Sequence, residues 1–341
     1  MMDNGLEARK LRWRSFLEMG SATRHLFFVN FTDGFPECPP LWREKSDERV
    51  EWAWETYSRH MEQLEWLRDD RLPFLSNVTG TELFAEAFGC KVHRPPDSNP
   101  CAIPLIHDAA SVATLRVPTL DSESLSAVFE IADKLFERSG GEALMGLPDI
   151  QSPMDIAALI WDKNSFYIAL LEEPAAVKDL SRMVFELLTA FLDEWFSRYG
   201  TEYIAHYPSY YMNGGMTLSE DEIGAVDERM FDEMFYDELC ELSERYGGIG
   251  IHCCANAVHQ WDNLGRIPGL RLLNLHVEAD QALSHFEHLV PQWHALTGDE
   301  SPTERVGRIP PKAHAVIQMT ATTSDEARRI ADELCLASGR E

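Results

Sequence analysis

The chain has 341 residues, 45% hydrophobic and 26% charged, enough apolar material for one large core or two modest ones. Its formal net charge of -27 makes a surface that repels nucleic-acid phosphates and anionic membranes, and no uninterrupted apolar run approaches the ~20 residues of a membrane span. An acidic substrate would need a locally positive pocket, and the sequence displays none.

The segment Met1 to Arg14 is charged and lacks an apolar stretch of secretory type, so a cytoplasmic protein is the expectation. The seven cysteines, at 38, 90, 101, 240, 253, 254 and 335, are odd in number and scattered. They read as reduced thiols rather than a disulfide framework, and the sequon Asn77-Val78-Thr79 then carries no weight.

In chain order, Leu26-Phe27-Phe28-Val29-Asn30-Phe31 reads as a strand, and Asp47 to Arg68 as a helix whose Trp52, Trp54 and Trp66 belong to a core face. Pro73 to Ser76 is a second strand. Ser122 to Ser139 is a helix by the spacing of Leu125, Val128, Phe129, Ala132, Leu135 and Phe136, and Ala143 to Leu147 is a strand ended by Pro148. Helices follow at Met154–Leu171 and Ala175–Tyr199, then a strand at Tyr203–Tyr207 and a helix at Asp227–Tyr246. Ile249–His252 and Leu272–His276 are strands, Ala282–Leu296 is helical, Ala315–Met319 is the last strand, and Ser324–Leu334 is a last helix capped by Ser324.

Repeated strand–helix alternation implies a parallel sheet, and about eight such units fit a closed barrel better than an open doubly wound sheet. The expected architecture is therefore α/β, a single (β/α)8 TIM barrel over residues 1–341. An N-terminal helical extension occupies 1–24, and about 80–118, which fits the alternation poorly, is an inserted hairpin or cap. No GxGxxG follows the first strand and no GxxxxGK[ST] occurs, so nucleotide binding is not indicated.

Barrel enzymes place their reactive groups at the C-terminal ends of the strands. Here those ends carry His206 and Tyr207, then His252, Cys253 and Cys254, then His276 and Glu278. Strand side chains alternate, so His252 and Cys254 share a face, Cys253 takes the other, and His276 pairs with Glu278. Two imidazoles, a thiolate and a carboxylate at one mouth are a coherent zinc environment, with three protein ligands and an open position for a thiol substrate. The competing reading of Cys254 is a small buried hydrophobe, and His276 and Glu278 read equally as supports of the ligands. Asp33, before Gly34, reads first as a turn residue and second as a group facing the mouth; Asp149 after Pro148 shares that ambiguity. Tyr210 and Tyr211, just before Gly214-Gly215, look like part of a mobile loop over the site that binds substrate.

The run Ile251-His252-Cys253-Cys254-Ala255-Asn256 resembles the Leu-His-x-Cys-Gly-Asn stretch of the uroporphyrinogen decarboxylase-like superfamily, which includes the cobamide-dependent methyltransferases. Gly80-Thr81 through Phe88-Gly89-Cys90 is similar to the early Gly-Thr…Ala-x-x-Phe-Gly segment. Gly146-Leu147-Pro148, then Pro174-Ala175-Ala176-Val177, and Ser219-Glu220-Asp221 followed by Phe231 to Phe235 resemble later segments in the same order. Two departures stand out: no Arg-Gln-Ala-Gly-Arg follows the first strand, and Gln318 to Thr322 holds no cysteine where zinc-dependent members carry a third ligand. Cys335 lies a helix-length later.

The resemblance implies methyl transfer between a corrinoid and a thiol. Zinc would be held by His252, Cys254 and either Glu278 or His276, with Asn256 on the substrate side. The corrinoid would be presented by a partner protein, since no Asp-x-His-x-x-Gly occurs. The alternatives are a metal-free decarboxylase-like lyase using His206, Asp33 or Asp149 as acid and base, and a non-catalytic barrel subunit. The expected partners are a small-molecule substrate and the corrinoid protein, with no nucleic acid and no membrane; a homodimer is a candidate assembly.

Overall fold

The structure, a computed structural model, describes residues 2–95 and 98–340. The strands are β1 His25–Asn30, β2 Phe74–Leu75, β3 Lys91–His93, β4 Cys101–Ile103, β5 Leu144–Gly146, β6 Glu202–Ile204, β7 Tyr211–Asn213, β8 Met216–Ser219, β9 Ile249–Cys253, β10 Leu270–Leu275 and β11 Ala315–Thr320. Parallel pairing joins β2 to β5 to β6, β8 to β9 to β10, and β1 to β11. Single links connect these groups. Gln292 bridges both Leu273 and Ala315, and Gln151 bridges Ser219; Asp70 N–H donates to the Phe27 carbonyl at 2.8 Å. The result is an irregular α/β barrel whose β6 passes through the antiparallel β7 into β8 with no helix between them.

The core follows from strands that are apolar on both faces, as barrel strands must be. In β1, Leu26, Phe27, Phe28 and Val29 are all essentially inaccessible. Phe27 and Val29 pack outward with Ile317 against Ile330, Ala331 and Leu334 of the helix Ser324–Ala337. Phe28 faces inward, 4.6 Å from the Trp293 ring. The helix Met2–Leu17 closes the end at which the strands begin. Its Trp13 donates to Asp70 O at 2.9 Å and packs edge-on against Phe28 and Tyr210, while Lys10 and Arg14 pair with Glu202 at the start of β6. The antiparallel hairpin β3–β4 stands within the stretch 80–118.

Several elements are shorter than their periodicity suggests. The helix expected over 154–171 is two, Pro153–Ile160 and Lys163–Glu172, parted at Trp161 in extended conformation, with Asp162 capping the second through Ser165 N–H. The helix expected over 227–246 breaks at Phe235. The one expected over 282–296 spans only Ala279–His285, because Gln292 is taken up in bridging β10 and β11. β6 ends at Ile204, and Ala205 N–H then bonds Tyr210 O at 2.9 Å, so His206 sits in a turn rather than in a strand. No described helix is long and apolar enough to cross a membrane.

The helix Tyr236–Tyr246 holds Glu238, whose carboxylate accepts the Ser181 hydroxyl at 2.7 Å. Burial lifts its pKa from the usual 4.5 to about 7. A carboxyl raised in the folded state contributes stability below its unfolded pKa, and that contribution is lost as pH climbs through the folded value. Wild-type stability should therefore fall between pH 4.5 and 7, by about 2–3 kcal/mol from this group. Glu238→Gln should flatten that fall and be the more stable protein at pH 8, as read from urea midpoints at pH 5 and pH 8.

Candidate metal centre

β9 delivers the central residues. Cys253 is fully buried, its thiol directed to Ala255 O at 3.8 Å. His252 and Cys254 occupy the opposite face, with His252 Nε2 and Cys254 Sγ 2.8 Å apart. His252 is 6% exposed, and Cys254 opens to the mouth.

The neighbouring strands orient this pair. Asn274 of β10 is in register with His252. Its Nδ2 donates to Trp293 O, so its Oδ1 faces His252 Nδ1. An acceptor there requires a proton on Nδ1, which leaves the Nε2 lone pair directed at the mouth. Burial holds the imidazole's pKa below its usual value, countered by Asn274 and by Asp221 and Asp149, so the ring is neutral and able to ligate. Asn274→Ala should free the ring and lower metal affinity about 10–100-fold, measured by competition with a chromophoric chelator.

From the turn after β8 comes Asp221. Its Oδ1 accepts Cys254 N–H at 2.5 Å, and the ligand atoms of Asp221, His252 and Cys254 all lie within 4.8 Å of one another. The turn carrying Asp221 is stitched at each residue. Glu220 N–H bonds His252 O at 2.8 Å, and Ser219 exchanges bonds with Ile150 and Ser152. The buried Asp155 carboxylate accepts the N–H groups of Asp221 at 2.8 Å and Glu222 at 2.9 Å.

Burial, then Asp221, Asp149 and Asp155, push the Cys254 thiol pKa up. Such surroundings oppose a bare thiolate, and a cation among them would offset the negative charge. One imidazole nitrogen, one thiol and one carboxylate, with an open side toward solvent, fit the donor set of a zinc site with three protein ligands.

Further residues gather at the same mouth. His206 Nε2 lies 3.7 Å from Asp149 Oδ2. Burial raises the Asp149 pKa against the opposing fields of His206 and His252. The Tyr207 ring stands edge-on to His252 at 4.6 Å. Tyr207 and Asn274 also line a cavity of about 860 Å3, together with Phe28, Arg71, Trp293 and Gln318.

Other expected residues lie apart from this cluster. β10 ends at Leu275, so His276 and Glu278 leave its alternation. Both are exposed, and Glu278 turns into left-handed backbone (φ 54°) with its carboxylate on Gln281 at 2.8 Å. Tyr210 and Tyr211 do not form a loop over the mouth. Both are buried, with Tyr210 bonded to Arg271 O at 3.2 Å and both rings packed beside Trp13 at the opposite end of the barrel. Asp33 is exposed in the turn closed by Phe35 N–H on Thr32 O. Asn256 is exposed on the loop after β9, beside Gly224. Asp221, Asn274 and Asp155 were not anticipated; a lone amide inside Leu272-Leu273-Asn274-Leu275 and the short run Met216-Thr217-Leu218 before Ser219-Glu220-Asp221 were the available signals.

The family model for uroporphyrinogen decarboxylase (URO-D) matches residues 79–276, more than half of the chain. That span contains Asp149, His206, Asp221, His252 and Cys254. No curated protein matches the chain. Among solved structures, the fold is similar to that of a methyltransferase from Methanosarcina mazei, with a TM-score of 0.64 and 10% identity over 97% of this chain and 98% of that one.

Proposed function

The chain belongs to the uroporphyrinogen decarboxylase family, and from that premise we propose that it is a methyltransferase of the corrinoid–thiol type, with zinc held by Asp221, His252 and Cys254. The observation that carries this reading is the convergence of those three donors at the ends of two paired strands, with the His252 tautomer set by Asn274. Zinc bound there supplies a Lewis acid that lowers the pKa of a thiol acceptor.

The chain's own residues do the remaining work. Asn274 and Asp155 hold the donors in place. His206, oriented by Asp149 and 27% exposed, takes the proton released by the acceptor thiol and passes it to solvent. The methyl donor is a corrinoid presented by a separate protein, and the acidic surface suits a cytoplasmic enzyme. In this reading the chain is a single (β/α)8-type domain, with the N-terminal helix as a floor and the 80–118 stretch as an insertion.

The test is zinc content by plasma mass spectrometry, followed by demethylation of methylcobalamin with small thiols. Zinc-loaded protein that transfers methyl to no thiol would count against the proposal. The His206–Asp149 pair supports a second reading, a metal-free lyase with that pair as acid and base; activity that survives complete metal removal would favour it.

A further inference from the structure

The 860 Å3 cavity beside His252 holds a cation in an unusual state. Arg305 and Arg329, which also line it, are engaged: Arg305 bonds Leu296 O and Gly298 O and pairs with Glu300 at 2.9 Å, and Arg329 pairs with Glu333 at 3.0 Å. Arg71 differs. Its side chain is 17% exposed, and its one side-chain hydrogen bond among the described residues runs from Nη2 to Asn30 Oδ1 at 2.6 Å. The nearest carboxylate, Asp69, is 4.0 Å away and is shared with Arg9 at 3.7 Å, Val29 N–H at 3.3 Å and Arg71's own N–H at 3.2 Å. Nε and Nη1 therefore have no hydrogen-bond acceptor among the described residues, while the Phe28 ring at 4.8 Å holds the group in position.

The surroundings supply more donors. In the β1–β11 register, Phe28 stands beside Gln318 and Asn30 beside Thr320, and all four line the cavity. The side chains of Gln318 and Thr320 are exposed there. Arg71 also borders a second cavity of about 380 Å3, lined by Phe35, Trp52, Thr56 and His60. His60, driven down to about pKa 3 by burial and by Arg71, stays neutral and leaves Arg71 the cation between the two spaces.

We propose that Arg71, with Gln318 and Thr320, binds a carboxylate on the small-molecule substrate, at the end remote from the atom that reacts beside His252 and Cys254. This rests on the proposed function only for what sits at that reacting end. A guanidinium whose Nε and Nη1 are free of hydrogen-bond acceptors suits a carboxylate, and it makes a local anion site on a chain of net charge -27.

The test uses two matched pairs, titrated calorimetrically into the purified protein: 3-mercaptopropionate against 3-mercapto-1-propanol, and phenylacetate against 2-phenylethanol, which carry no thiol. Wild type should prefer the acid of each pair by about tenfold or more, the range for a charge-assisted bond. Arg71→Gln should bring acid and alcohol to parity, and Arg71→Lys should keep part of the preference. Should Arg71→Gln fold poorly, the double variant Gln318→Ala/Thr320→Ala should still reduce the preference several-fold. Loss of thiol binding with preference retained in the phenyl pair would overturn the zinc reading and leave the Arg71 site standing. Equal affinity for acid and alcohol in both pairs would overturn the Arg71 site.

Discussion

Cys254→Ser should leave the purified protein with a small fraction of the wild-type zinc and no measurable methyl transfer. A serine hydroxyl stays protonated at neutral pH and is a poor zinc donor, whereas the thiol ionises on binding. Structural zinc binding is worth about 10–16 kcal/mol over four donors, so one donor carries roughly 3 kcal/mol, on the order of a hundredfold in affinity. Two companions make the result specific. Cys253→Ser alters a thiol that is fully buried on the other face of β9; it should lower the melting temperature while leaving zinc content unchanged. Glu278→Gln should also leave zinc unchanged, because that carboxylate is exposed and bonded to Gln281, whereas Asp221→Asn should reduce it. Zinc lost from Glu278→Gln and retained in Asp221→Asn would reverse the assignment of the third donor.

The pair His252 and Cys254 was legible because β9 is regular. Five residues in one register make side-chain parity a reliable guide, and parity alone separates Cys254 from Cys253. The barrel was legible for the same reason, since apolar runs such as Leu26 to Val29 and Leu272 to Leu275 are buried on both faces. Asp221, the third member of the cluster, was hidden by two irregularities. β8 has only four residues and follows β7 without a helix, so an expectation built on strand–helix alternation passes over Asp221. Parity was carried beyond the end of β10 to Glu278, where left-handed backbone has already redirected the chain. Tyr210 and Tyr211 misled through composition: their rings complete the packing around Trp13, a contact between segments about 200 residues apart. Arg71 was invisible because its isolation depends on how Asp69 divides its oxygens among four donors.

Asp155→Ala should cost about 3–5 kcal/mol of stability and weaken metal binding in the same sample. The side chain is 4% exposed, and both its oxygens are used, by Asp221 N–H and Glu222 N–H. It also lies against the buried Glu220 carboxyl, whose pKa burial and Asp155 both raise. Truncation orphans two backbone donors and one carboxyl, each worth about 1–3 kcal/mol. One effect opposes this: burial already raises the Asp155 pKa, so removing the group relieves a desolvation penalty. The orphans win because Glu222 N–H and the Glu220 carboxyl stay buried, where water cannot replace the lost partner, while Asp221 N–H is half-buried. Asp155→Asn keeps one acceptor oxygen but turns an NH2 toward a backbone N–H, so it should lose less stability and still let Asp221 swing away from Cys254. Comparing Asp155→Asn with Cys253→Ser by urea denaturation and chelator competition separates positioning from plain destabilisation. Both should unfold more easily, and only Asp155→Asn should bind zinc more weakly; equal zinc affinity in the two would remove Asp155 from the machinery of the site.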